Sequence, residues 1–215
     1  MSSDAVLAIT DDSDPSEPTR NRRQEETFRK VLVAGREMLR ESSYADLTVR
    51  AVAARAKVAP ATAYTYFSSK NHLIAEVYLD MVKRVPYFTD VNQPMVSRVQ
   101  QALRSLALVV ADEPEVAAAC TAALLSGNDE TVRKVRDRIG GEIHRRIRSA
   151  VGPDVDPRIT SALEMTYFGA LVNAGSGAYT YHQIADRLSY AVGLILSSTA
   201  GDSAESAGNN LGDNT

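Results

Sequence analysis

The stretch from Thr48 to Leu73, TVRAVAARAKVAPATAYTYFSSKNHL, decides how the rest of the chain is read. It reads as two short helices around a tight turn, with a third helix opening directly behind them. Thr48 is an N-cap residue whose hydroxyl accepts from a free amide in the first turn. Val49, Val52, Ala53 and Ala56 then follow at i, i+3, i+4 and i+7, one face of a short helix. Lys57-Val58-Ala59 carries the turn, and Pro60 suits the first position of the next helix, where no backbone N–H is needed. That second helix is about two turns long and ends near Phe67. A buried helix wants an apolar stripe and a generic polar face. This one instead interleaves Ala61, Thr62, Ala63 and Thr65 with Tyr64, Tyr66 and Phe67. Small residues let a helix backbone approach another surface closely, and tyrosine hydroxyls reach phosphates. A helix of this chemistry suits a DNA major groove.

The same residues resemble the DNA-binding signature of the TetR family of bacterial transcriptional regulators. The match runs through Thr48, Arg50, Val52, Ala53, Ala56, Val58, Thr62, Tyr64, Tyr66, Phe67, Lys70 and Leu73, and the run from Thr62 to Leu73 is its most specific part. Two positions depart from the pattern: Gly is common where Lys57 stands, and a Ser cap is common where Ala59 stands. The missing cap costs about 1 kcal/mol, partly offset by Pro60. Both departures bear on turn stability and operator preference. The resemblance implies an all-α fold, with an N-terminal three-helix helix-turn-helix DNA-binding domain and a C-terminal helical domain for ligand binding and dimerisation. It also implies that Thr48 and its helix amides grip phosphate, that Arg50 reaches backbone or a base edge, and that Tyr64 and Lys70 bind phosphates. Pro60, Ala61 and Thr65 then face bases, mostly through contact with thymine methyls. Tyr66 and Phe67 are left for packing. Few strong base hydrogen bonds come from such a helix, so specificity rests partly on Arg50, an N-terminal arm and DNA shape.

A formal charge of −3 and a pI of about 5.7 argue at first sight against nucleic acid. The total hides a split. Residues 1–19 hold five acidic side chains and no basic one, residues 20–70 hold eleven Lys/Arg against five Asp/Glu, and the remainder holds thirteen against seventeen. Positive charge is thus concentrated on the groove-reading segment, as phosphate binding requires. The single cysteine, Cys120, excludes an intramolecular disulfide and fits a reducing cytoplasm. It is read as a small core residue rather than a redox sensor. His72, His144 and His182 lie far apart, without ligand spacing, so no metal and no cofactor is expected. No apolar run approaches the ~18 residues of a membrane span, and the N-terminus lacks the features of a signal peptide.

Residues 1–19, rich in Ser, Asp and Pro, read as a disordered acidic tail. Arg20, Arg22 and Arg23 follow, and two readings stand for them: a solvated helix start, or an arm touching DNA backbone or minor groove. The DNA-binding domain spans 20–68, opening with a helix from Asn21 to Glu41 whose inner face is Phe28, Val31, Leu32, Gly35, Met38 and Leu39. The ligand-binding and dimerisation domain spans 69–199. Its first helix, Lys70 to Val85, is the covalent link to the reader. Further helices are expected at 95–111, 114–125, 129–151, 157–178 and 183–198, and a break at Gly127-Asn128. The helix at 129–151 sets an apolar stripe against Arg133, Lys134, Arg136, Arg138, Arg145, Arg146 and Arg148, read as a solvated face, and its Gly140-Gly141 invites a kink. The last two helices are apolar on more than one face, which calls for a second subunit. Residues 200–215 read as a disordered tail.

No nucleophile–base–acid set, phosphate-cradling loop or metal spacing appears, so an enzyme is not expected. The expected partners are a double-stranded DNA operator, a second copy of the chain and a small, largely apolar ligand, in the cytoplasm. Tyr78, Met81 and Val85 are expected to line a cavity with Leu103, Leu106, Leu124, Met165 and Phe168, with the Tyr78 hydroxyl or Asn173 orienting the guest. A repressor released by that ligand is the first reading; an activator or a ligand-blind regulator is the alternative.

Overall fold

The first helix, α1 (Arg22–Glu41), begins in a capping box. The Asn21 amide donates to Gln24 Oε1 at 2.9 Å, and the Gln24 amide donates to Asn21 Oδ1 at 3.0 Å. A computed structural model describes residues 21–125 and 129–208, with side chains to position 197. Among these residues the chain forms nine α-helices and no strand. After α1 come α2 (Val49–Arg55), α3 (Pro60–Tyr66) and α4 (Lys70–Lys83). The second half holds α5 (Met95–Ala107), α6 (Pro114–Leu125), α7 (Glu130–Val151), α8 (Pro157–Gly175) and α9 (Tyr181–Gly208).

Helix α4 is the spine. Ser69 caps it, ten of its fourteen residues are buried, and it packs against α1 on one side and α6 and α7 on the other. An amphipathic surface helix hides one stripe; this one is covered nearly all round. Its C-terminus is closed by an arginine from α7. Arg146 Nε donates to the Val85 carbonyl at 2.9 Å and Nη2 to the Lys83 carbonyl at 2.8 Å, while Nη1 pairs with Glu142. The cation thus satisfies carbonyls that a helix end leaves without partners. Two members of the supposedly solvated basic face are therefore not solvated. Arg146 is 2% exposed, and Arg138 is tucked against the buried Glu76 of α4 at 2.7 Å. A basic run on a helix gives no sign, by itself, of which residues find carboxylates across an interface.

Several boundaries shift. The expected helix at 95–111 ends at Ala107 and tightens into one 3₁₀ turn, Leu108–Val110. Helix α7 continues through Gly140-Gly141, and α8 stops at Gly175 rather than at 178. The α9 backbone stays helical to Gly208, so 200–208, read from composition as irregular, is helix. An established helix propagates at little cost through a segment holding Ala204, Glu205 and Ala207. The expectations for 1–19, Arg20, Gly127-Asn128 and 209–215 lie outside the described residues. α5 and α8 both pack on α9, leaving the outer faces of α8 and α9 uncovered.

Candidate nucleic-acid interface and cavity

Thr48 caps α2 as its sequence requires, accepting from the Ala51 amide at 3.1 Å. The turn behind α2 is a left-handed helix stop centred on Lys57, at φ 56°. The Val58 amide donates to the Ala53 carbonyl at 2.9 Å, and the Lys57 amide to the Ala54 carbonyl at 3.1 Å. That is a Schellman ending with lysine where glycine fits without steric cost. Ala59 enters α3 with no side-chain cap, and Pro60 takes the first helical position. Both departures in the sequence therefore coincide with local structure that a different residue would stabilise.

Helix α3 is held from below. Ala63 is buried within it, and Phe67, just beyond it, stacks on Phe28 of α1 with ring centroids 5.0 Å apart. Tyr66 leans edge-on against the same ring at 6.1 Å. Pro60, Ala61, Thr62, Tyr64 and Thr65 are exposed, as are Thr48 and Arg50 on α2 and Arg22 and Arg23 at the start of α1. Lys70 is half-buried: its ammonium donates to the Tyr44 carbonyl at 3.0 Å and lies 4.2 Å from the Tyr44 ring centroid. One donor is spent there, and two N–H groups remain for a phosphate.

The reader and its linking helix, α4, are fastened to the rest of the second domain in two places. Glu113, directly ahead of α6, receives Arg36 and Arg40 of α1. Hydrogen bonds from Arg40 and Arg36, against partial burial, hold its carboxyl down at about 2. At the second place the N-terminal end of α7 meets that of α4. Ser69 Oγ donates to Asp129 Oδ2 at 3.0 Å, and Arg138 of α7 reaches Glu76. Glu76 lies near His72, whose Nδ1 accepts from the Ser68 amide at 3.2 Å. Burial opposes ionisation of Glu76, but His72 and Arg138 outweigh it and lower its pKa.

Between α4, α6, α7 and α8 lies a cavity of about 370 Å³. Its walls include Tyr78 from α4, Val110 from the 3₁₀ turn, Ala117, Cys120, Thr121, Leu124 and Leu125 from α6, and Arg136, Ile139 and Ile143 from α7. Phe168, Leu171, Val172 and Gly175 of α8 and Ser176 just beyond it, with Tyr181 of α9, are further wall residues. Gly175 permits the approach of α8 to α6, since a Cβ there would sit 2.7 Å from Thr121 Cγ2. Burial raises the pKa of Tyr78 and pushes the Cys120 thiol up to about 12, so both remain protonated. A buried thiol held in that form is a poor redox centre.

Of the expected lining residues, the structure brings Tyr78, Leu124 and Phe168 to this cavity. Met81, Val85, Leu103 and Leu106 are packed in the core and are not part of its wall. Met165 and Asn173 are exposed, and the Asn173 amide donates to the Gly169 carbonyl of its own helix. Sequence reasoning missed Cys120, Thr121, Arg136, Ile139 and Tyr181. The small residues of α6 were the available signal, because an inward face built from Ala117, Cys120 and Thr121 leaves space unfilled.

Met165, Phe168 and Val172 form an exposed apolar row on α8, and Tyr190 and Leu194 another on α9. Among the described residues no group of three His, Cys, Asp or Glu could hold a metal, and no helix is long and apolar enough to cross a membrane.

The model for bacterial regulatory proteins of the tetR family matches residues 31–77, which run from α1 to mid-α4. The chain is 67% identical over 202 residues to HTH-type transcriptional regulators of Mycobacterium tuberculosis and Mycobacterium bovis, a match covering 91% of this chain and 94% of each relative. A TetR transcriptional regulator from Rhodococcus sp. RHA1 shares the fold, with a TM-score of 0.65 at 22% identity over 82% of this chain and 98% of that one. Signature, exposed reading helix and relatives agree: the chain belongs to the TetR family of bacterial helix-turn-helix transcriptional regulators.

Proposed function

We propose that the protein is a cytoplasmic homodimeric repressor that leaves a palindromic operator when a small, largely apolar molecule fills the cavity. The carrying observation is that two of the cavity-wall helices, α6 and α7, are also attached to the reader or to the helix that links it, α4. Helix α6 follows Glu113, which grips α1, and α7 meets Ser69 and Glu76 through Asp129 and Arg138. A guest that spreads these walls displaces both attachments. It shifts the equilibrium only by as much as it prefers the displaced arrangement. A coupling of about 1–3 kcal/mol lowers operator affinity roughly 5- to 150-fold.

DNA contacts follow from exposure and charge. Thr48, Tyr64 and Lys70 meet backbone, Arg22 and Arg23 backbone or minor groove, Arg50 backbone or a base edge, and Pro60, Ala61 and Thr65 face bases. The apolar rows on α8 and α9 meet their symmetry copies in a four-helix interface. Gly169 has nothing within 4 Å of a Cβ built on it, so Gly169→Glu should leave the subunit folded while placing charge in the interface. Sedimentation of that variant should show monomers, and an unaffected dimer would place the interface elsewhere. The function itself is tested by gel shift on the DNA upstream of the gene. A retarded band that apolar compounds abolish is expected. Binding that no cavity ligand alters would make the protein a ligand-blind regulator.

A further inference from the structure

Among the described residues the cavity wall contains one charged residue, Arg136 of α7. Lys134 pairs with Glu130, Arg138 with Glu76, and Arg145 and Arg146 both with Glu142. Arg136 pairs with no carboxylate among the described residues. Nη1 donates to the Leu124 carbonyl at 3.0 Å, which fixes the guanidinium at the α6 side of the cavity. A guanidinium carries five N–H donors, so one hydrogen bond leaves most of its capacity unused. It is half-buried beside Leu124, Ile139 and other apolar groups, where a cation loses hydration without gaining a counter-ion.

We infer that the molecule this cavity accepts is an apolar body carrying one carboxylate, which Arg136 binds. The inference rests on the cavity being the ligand site and adds the charge of the ligand. A carboxylate matches the planar fork of the guanidinium and can take two parallel N–H donors. The rest of the lining suits the apolar body, with the hydroxyls of Tyr78, Thr121 and Tyr181 as neutral donors. Among the described residues no anionic side chain lines the cavity to receive a cationic ligand, and the tyrosines and Cys120 have their pKa values raised by burial.

Two matched pairs of probes test this: decanoate against decanol, and naphthoate against naphthylmethanol, each below its aggregation threshold. Binding is followed by calorimetry on the full-length wild type, Arg136→Gln and Arg136→Lys, with thermal unfolding confirming that each variant is folded. In the wild type, at least one acid should bind about 10- to 100-fold more tightly than its neutral counterpart. Arg136→Gln should erase that preference while leaving the neutral probe's affinity within about twofold, and Arg136→Lys should restore part of it. Equal binding of acid and neutral probe to the wild type overturns the carboxylate and leaves the cavity as an apolar site. A preference that survives Arg136→Gln overturns the role of this arginine. Failure of all four probes to bind overturns the cavity reading and this inference together.

Discussion

Helices α3 and α4 are separated by three residues and live in opposite surroundings. Helix α3 buries one residue of seven, whereas α4 buries ten of fourteen. The difference lies in what each is built to meet. Helix α3 is anchored by Ala63 within and Phe67 behind, which leaves Ala61, Tyr64 and Thr65 free for a surface that is not part of the protein. Helix α4 is enclosed by α1, α6 and α7, so a change in any of them is felt along it. A substitution on α3 should therefore change binding and not stability, whereas one around α4 should change stability first.

The largest effect should come from the residue that closes α4. Arg146→Ala leaves the Glu142 carboxylate without its buried partner and the Lys83 and Val85 carbonyls without this donor. Breaking a buried pair by removing one member costs about 3–5 kcal/mol. Urea denaturation should show that loss, and a change under about 1 kcal/mol would mean that Arg146 is not an important closure of the spine. Ala61→Glu should give the opposite signature. On the proposed function it places an anion against the DNA, and like charges brought together cost several kcal/mol, so operator affinity should fall by at least ~100-fold with an unchanged urea midpoint. Wild-type affinity in that variant would take α3 out of the groove.

The contrast between these helices also explains what could be read from the chain alone. The reader was legible residue by residue, because caps, turn and small exposed residues are local features. Thr48, Pro60 and the anomalous Lys57 each declare their role within four neighbours. The spine's surroundings were not. Met81, Val85, Leu103 and Leu106 have the inward periodicity of a cavity wall and of a filled core alike, and only tertiary packing separates the two. Arg136, Arg138 and Arg146 occupy one basic run in sequence, yet one lines a cavity, one pairs with Glu76, and one closes α4.

The clasp of Arg36 and Arg40 on Glu113 joins α1 to the start of α6. The folded pKa of Glu113, about 2, lies below the ordinary value of 4.5. Its contribution is therefore present above about pH 4.5 and lost as pH falls toward 2. Glu113→Gln should cost about 1–2 kcal/mol at neutral pH, a figure reduced because Arg40 is half exposed. The gap between variant and wild type should narrow as the solution is acidified through that window. A gap that stays constant with pH would mean that the carboxylate's charge contributes nothing.

The smallest effect should come from the turn between α2 and α3, and it should be a gain. Lys57 adopts φ 56°, where a Cβ crowds the backbone at a cost of roughly 1–2 kcal/mol. Glycine removes that strain but adds freedom to the unfolded chain, which takes back part of the gain. Lys57→Gly should therefore stabilise the protein by up to about 1 kcal/mol, seen as a higher urea midpoint with an unchanged slope. Both turn hydrogen bonds, from the Val58 and Lys57 amides, are made by backbone and survive the change. Operator affinity should remain within a few-fold of wild type, because α3 keeps its anchors at Ala63 and Phe67. A lower midpoint would mean that the Lys57 side chain supplies more stability than its backbone strain removes, and that the departure from glycine stabilises this reader.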